Sequence, residues 1–244
     1  LGLPRDAVDV AGYDDLLDRL TTDAGPPIGR FLVLVDAHHG ITADTREHAA
    51  LLRALGLSPG LVVLSGDQMA DPAGVLRKTA QLIPGTPAHA VCLRTADGLP
   101  DLARALDDLL ASPPPPPDLP AAGLAGPGPP LETRVIDAAL DFGPHREREP
   151  DHGARATVHL RGAPAPARLA RLGGRFWQVR LDQPLLALTG DRFVIRQADG
   201  SCTLGGGVVL DPAARRHPTS NDVIVTLTRI WRGQPPPMPD PAAT

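Results

Sequence analysis

Apolar positions along this chain follow two different rhythms. Up to about residue 112 they form short continuous runs alternating with stretches of helical spacing. From Leu131 they alternate singly with polar residues. Phe31 to Val35 and Leu61 to Leu64 have the length and content of buried strands, and Ala88 to Leu93 reads as a third. Between the first two, His48, Leu51, Leu52 and Leu55 fall at i, i+3, i+4 and i+7, one helical face. Asp44 is placed to cap that helix, with Glu47 three residues on, and Gly56 to end it. Ala7 to Gly12 reads as a short strand ending in a turn, before a helix carrying Leu16, Leu17 and Leu20. Asp71-Pro72 predicts a helix start whose inner face holds Val75, Leu76, Thr79, Leu82 and Ile83. Gly98 opens a last helix with Leu99, Leu102, Leu106, Leu109 and Leu110 inward. Strand, helix and strand in alternation imply a parallel sheet. Ligands of such sheets sit beyond the carboxyl ends of the strands, which singles out the loops Asp36–Asp44 and Ser65–Asp71.

In the second half, Ile136, Ala138, Leu140 and Phe142 alternate with Asp137 and Asp141. Ala154, Ala156, Val158 and Leu160 alternate with Arg155, Thr157 and His159. Trp177, Val179 and Leu181 alternate with Gln178 and Arg180. Phe193 with Ile195, and then Val208 to Leu210, complete the series. Short strands with Gly and Pro turns predict an antiparallel barrel or sandwich. Pro113 to Pro117 favours a stiff spacer. The expected organisation is an α/β unit over 1–112, a linker over 113–130, an all-β unit over 131–216 and a Pro-rich tail over 217–244.

Composition refines this picture only a little. Hydrophobic residues make up 42% of the 244, but only seven residues are aromatic, so aliphatic side chains must fill the cores. Residues 1–112 carry 9 basic and 15 acidic side chains, whereas 131–216 carry 13 and 10. Only the second segment has a balance that suits a polyanion, and a solvated Arg-rich face explains it equally well. An RNA-binding reading of that segment has no stacking platform beyond Phe176 and Trp177, and Trp177 reads as core. No run of eighteen apolar residues exists, so a membrane span is not expected and a cytoplasmic protein is. Cys92 and Cys202 stand in apparent strands and read as buried free thiols. The chain opens on Leu1 and not on Met, so a processed, trimmed or partial reading frame is expected.

Three candidate chemistries dissolve on inspection. His38 and His39 lack a third and fourth ligand at metal spacing, so they read as a solvated loop. Ser65, Asp67 and His48 do not sit in a nucleophile elbow. Gly205 to Gly207 opens a strand and not a helix, so it reads as a bulge or tight bend and not as a phosphate cradle. Asp191 and Arg192 read as a turn-side ion pair.

The run from Val35 to Leu57, with Thr45-Arg46-Glu47-His48 at its centre, resembles translational GTPases of the elongation factor Tu superfamily. The later motifs are more specific. Leu181, Pro184, Gly190, Asp191, Arg192, Phe193 and Arg196, followed by Thr203 to Pro212, resemble domain III of the bacterial selenocysteine-specific elongation factors. The resemblance implies a partial P-loop-type G domain followed by a domain III-like antiparallel β-barrel. It also marks nucleotide-binding remnants. Asp9 and Gly12 stand where the family has an Asp near magnesium and a Gly whose amide meets the γ-phosphate. Tyr13 stands where the family's His positions the attacking water. Ser65, Gly66, Asp67 and Gln68 occupy the guanine-reading loop, whose Lys and terminal Asp are replaced. Cys92 to Thr95 replaces the family's second guanine-contacting segment. No G-x-x-x-x-G-K-[ST] loop occurs in the chain.

Two expectations follow from that resemblance. One is a shortened relative that has lost GTP binding and hydrolysis, with no catalytic residue and no cofactor of its own, although the family uses GTP and Mg2+. Such a relative would retain at most binding to aminoacyl-tRNA or the ribosome. The other is a C-terminal fragment of a longer GTP-binding factor whose phosphate loop lies upstream of Leu1. The family's middle barrel and its messenger-RNA hairpin module have no counterpart in the sequence.

Overall fold

The structure is a computed structural model, and it describes residues 10, 12–21, 29–57, 60–66, 72–111, 129–142 and 149–234. The described residues divide into two compact units, one on each side of the proline-rich segment. That segment and the strand expected at Ala7–Gly12 lie outside the described residues for most of their length, as do Asp9, Asp67, Gln68 and Asp71.

The first unit contains helix α1 (Tyr13–Thr21), strand β1 (Phe31–Asp36), helix α2 (Ala43–Ala54), strand β2 (Gly60–Ser65), helix α3 (Pro72–Leu82), strand β3 (Ala88–Val91) and helix α4 (Leu99–Ala111). The strands form a parallel sheet in the order β1-β2-β3. β2 is central and almost wholly buried because both its faces are covered. On one face Val35, Val62 and Leu64 pack with Ala49 and Leu52 of α2 and with Ile83. On the other, Leu61, Val63 and Val91 pack with Leu102, Leu99 and Leu106 of α4.

Four local expectations are corrected here. β1 is not a fully buried strand: Leu32 is 43% exposed and Leu34 67%. These two pair with Leu61 and Val63, on the face covered by α4, but α4 packs over β2 and β3. The third strand stops at Val91 and not at Leu93, because a turn closes on it: Cys92 N donates to Asp97 O at 3.0 Å. Leu93 is exposed as a result, and so is Leu110 at the far end of α4. The cap of α2 is Thr42, not Asp44. Its Oγ1 accepts from Thr45 N at 3.2 Å while Thr45 Oγ1 accepts from Thr42 N at 3.3 Å, so Thr45 takes the part expected of Glu47. Gly56 ends the helix at φ +60°, where Gly56 N reaches Arg53 O and Leu57 N reaches Leu52 O.

The second unit is a closed antiparallel barrel. Its strands are β4 (Leu131–Asp141), β5 (Ala154–Leu160), β6 (Ala163–Gly173), β7 (Phe176–Ala187), β8 (Arg192–Gln197) and β9 (Thr203–Asp211). They run round the barrel in the order β4-β7-β6-β5-β8-β9, and β9 pairs back to β4. The interior holds the aliphatic side chains that the alternation predicted, with Trp177 fully buried and edge-on to Phe142 at 5.5 Å. Pro164 and Pro166 sit in the first part of β6, which pairs with β5 alone, since pairing to β7 starts at Ala167.

Residues assigned to the tail from sequence contain a helix, α5 (Asn221–Trp231), capped by Ser220. Its Val223, Ile224, Leu227, Ile230 and Trp231 cover Ala139, Leu172, Phe176 and Leu210 on the barrel's outside. Arg215 and His217, before that helix, bond to two side chains that the alternation misplaced. Asp137 and Gln178, expected in solvent from their alternation, are 4% and 0% exposed.

Candidate functional site

The carboxyl ends of β1, β2 and β3 are pinned to one another and to their own loops. Ala37 N donates to Ser65 O at 2.8 Å, and Gly66 N donates to Val91 O at 3.2 Å. A Cβ at Gly66 would lie 2.5 Å from that of Ala37, so the close approach of the two loops requires glycine there. His38 N donates to Asp36 Oδ1 at 2.7 Å, Gly40 N to Asp36 O at 2.7 Å, and His39 Nδ1 lies 3.1 Å from Asp36 Oδ2. The bond from His38 N, helped by His39, holds the exposed Asp36 carboxyl below its usual pKa. The loop after β3 turns back through Gly98 at φ +77°, where a Cβ would sit 2.1 Å from Ala90 O.

The main-chain amides of Ala37, His38, Gly40, Gly66 and Cys92 are thus all donated within the protein. A phosphate or carboxylate site needs such amides free and convergent. Ser65 and Gly66 are placed at the tip of β2 as expected, and Gly12 lies just before α1 with open space where a Cβ would stand. Tyr13 opens α1 and stacks on His48 of α2, with ring centroids 6.3 Å apart and planes 6° from parallel. The structure therefore joins two positions that sequence motifs marked separately. Asp9, Asp67 and Gln68 lie outside the described residues. Among the described residues, no three His, Cys, Asp or Glu side chains are grouped to hold a metal ion. The sequence given contains no G-x-x-x-x-G-K-[ST] loop, and among the described residues the amides of Ala37, His38, Gly40, Gly66 and Cys92 already have acceptors.

In the barrel, the motif residue Asp191 does not pair with Arg192. Arg161 Nη1 lies 3.1 and 3.3 Å from its two carboxylate oxygens, across the barrel wall from the turn, and Leu188 N donates to Oδ2 at 2.8 Å. The triple glycine lies within β9 and not at its mouth. A Cβ at Gly205 would meet Asp141 O at 2.2 Å, and one at Gly207 would meet Leu140 Cδ2 at 2.5 Å and Ala139 O at 2.7 Å. Close packing against β4 explains Gly205 and Gly207, and the register with β8 shifts between Gly205 and Thr203, a β-bulge or irregularity. Cys92 and Cys202 are free as expected but half-buried; Cys202 Sγ lies 3.2 Å from Gln197 Oε1.

A polar cluster that the sequence did not reveal lies outside the barrel, below residues 212–220. Gln178 Nε2 donates to Asp137 Oδ1 at 3.0 Å and to Arg215 O at 3.1 Å, and Arg180 Nε donates to Gln178 Oε1 at 2.9 Å. His217 Nε2 lies 2.7 Å from Asp137 Oδ2. Burial acts to lower the His217 pKa, but its bonds to Asp137 and the Pro218 carbonyl outweigh this and raise it. Burial also pushes the neighbouring Asp211 carboxyl up, against a hydrogen bond from Ala213 N. His217 stands in a stretch with neither periodicity nor motif, and Asp137 alternates like any solvent-facing residue, so no sequence signal pointed to the pair.

Residues 146–216 match the family model of the selenocysteine-specific elongation factor β-barrel domain. No curated protein matches the chain. Among solved structures, a bacterial selenocysteine-specific elongation factor, EF-Sec, superposes with a TM-score of 0.61 at 13% identity, over 83% of this chain and 48% of that one. The elongation factor SelB of Methanococcus maripaludis, in its apo form, gives 0.59 at 13% identity, over 83% of this chain and 68% of that one. The same factor bound to the GTP analogue GppNHp gives 0.59 at 11% identity, over 82% and 68%. This chain thus spans about half the length of the bacterial factor. In its barrel sequence and in the fold of most of its length, the chain is similar to the selenocysteine-specific elongation factors.

Proposed function

We propose that this SelB-like chain has lost GTP binding and hydrolysis and acts as a binding module for aminoacyl-tRNA or a ribosomal partner. The observation that carries the first part is at the described carboxyl ends of the parallel sheet, where the Ala37, Gly66 and Cys92 amides are donated internally. The sequence supports it: no phosphate loop is present, and Gln68 stands where the resembled family has the Asp that reads guanine. A neutral amide makes a weaker contact there than a charge-assisted pair. Tyr13, at the family's water-positioning His, is stacked on His48, and a phenol does not titrate near neutral pH. The second part rests on the resemblance and on the basic balance of the barrel segment. With no middle barrel, tRNA binding is expected to be weak and to fall steeply with salt.

Calorimetry and thermal shift with GTP and GDP test the first part. A ligand at a hundred times its dissociation constant stabilises a fold by about 2.7 kcal/mol. No shift is expected with either nucleotide, and Tyr13→His is expected to restore none. A magnesium-dependent shift of that size with GTP but not ATP overturns the reading.

A second reading rests on the unmatched part of the bacterial factor: the chain belongs to a longer GTP-binding factor. Translating the DNA upstream of Leu1 decides it. An in-frame G-x-x-x-x-G-K-[ST] supports this reading and a stop codon removes it.

A further inference from the structure

We propose that His217 is a proton-dependent clasp that holds residues 212–220, and the start of α5 behind them, against the outside of the barrel. The geometry sets its protonation. Nε2 faces a carboxylate oxygen, Asp137 Oδ2 at 2.7 Å, and Nδ1 faces a carbonyl oxygen, Pro218 O at 3.0 Å. With Asp137 as the carboxylate, neither oxygen carries a hydrogen, so both ring nitrogens donate, and only the imidazolium has two N–H groups. The other Asp137 oxygen already accepts from Gln178 Nε2. The orientation of that amide is fixed from both sides, by Arg180 Nε on its oxygen and by Arg215 O on its nitrogen. The whole set is satisfied with a charged ring. With a neutral ring, one acceptor faces a lone pair next to a carboxylate that is 4% exposed.

Charge leads to the same conclusion. The charged groups around His217 are Asp137 of β4, Asp211 of β9 and Arg180 of β7. A charged His217 balances two carboxylates with two cations. A neutral His217 removes one of those cations from beside the two carboxylates.

The segment has little else to hold it. Pro212 is buried, but Ala213, Arg215, Arg216, Pro218, Thr219 and Ser220 are exposed. Its anchors are polar: Ala213 N to Asp211, Gln178 to Arg215 O, His217 to Asp137, and a longer bond, 3.5 Å, from Thr219 Oγ1 to Arg171 O. Apolar packing resumes only with Val223 and Leu227. His217 has a raised folded-state pKa, so the clasp contributes fully below the ordinary value of 6.5 and is lost as pH rises through the folded value. Release would let the polypeptide leaving the barrel change direction.

The test uses the full chain. The His217 ring is titrated by NMR, its signal assigned by its absence in His217→Gln. Amide exchange is followed by mass spectrometry from pH 6 to pH 9, corrected for intrinsic rates. The expected result is a His217 midpoint above 6.5, with exchange in residues 213–231 rising relative to β6 and β8 across that midpoint. Asp137→Asn keeps an acceptor but removes the charge, and is expected to move the midpoint down and take the exchange transition with it. A wild-type midpoint at or below 6.5 overturns the proposal. So does a segment whose protection is flat across the range, or an Asp137→Asn midpoint left in place. If Asp137→Asn fails to fold, the two wild-type measurements decide alone.

Discussion

Arg161 grips both carboxylate oxygens of Asp191 from thirty residues away, at 3.1 and 3.3 Å. The pair is mostly buried, with side chains 23% and 16% exposed, and it joins the β5–β6 turn to the turn before β8. Asp191 also accepts Leu188 N. Asp191→Ala removes a charged acceptor from two donors and is expected to cost about 2 kcal/mol in urea unfolding. A double-mutant cycle with Arg161→Ala is expected to show coupling of about 1 kcal/mol or more. Coupling near zero would mean that the pair is mere proximity.

Gly207 sits where a side chain has no room. A methyl group there would press on Leu140 Cδ2, Ala139 O and Phe193 Cζ, all within 2.8 Å. Gly207→Ala is therefore expected to destabilise the barrel by about 1–3 kcal/mol. Gly29→Ala, with nothing within 4 Å, is expected to change stability by no more than about 0.5 kcal/mol. Equal thermal shifts for the two would refute close packing as the reason for the triplet.

Helix α2 offers a test of which residue caps it. Thr42→Ala loses the bond to Thr45 N and is expected to cost about 1 kcal/mol. Asp44→Ala, in the first turn but outside the cap, is expected to cost only about 0.3–1 kcal/mol through the helix dipole, and less at high salt. The reverse order, read from denaturation midpoints, would restore Asp44 as the cap.

Periodicity carried most of the fold because burial in both units follows a repeat. β2 is apolar from Leu61 to Leu64 since helices cover both its faces, and the barrel strands alternate since one face is inside. The errors arose where a third layer intervened or was missing. Asp137 and Gln178 alternate outward, but the segment before α5 bonds to them through Arg215 and His217. Leu32 and Leu34 read as buried, but α4 packs over the neighbouring strands. Pairing between distant side chains was not legible either. The strict motif order suggested Asp191 with Arg192, whereas the turn geometry turns Asp191 toward Arg161. The stacking of Tyr13 on His48 joins two helices that no local pattern connects.

The barrel closes where its first strand meets its last, with Ala138 opposite Val209 and Leu140 opposite Gly207. That seam is the most distant strand pairing in the unit, so loop closure must precede most of its reward. During synthesis the early strands emerge without their final neighbour, and β4 and β8 each keep an open edge until β9 is complete. Translation of the last strand therefore sets the earliest moment at which the barrel can be sealed. A nascent chain halted before Thr203 would carry two unpaired edges, open to pairing with a neighbouring chain.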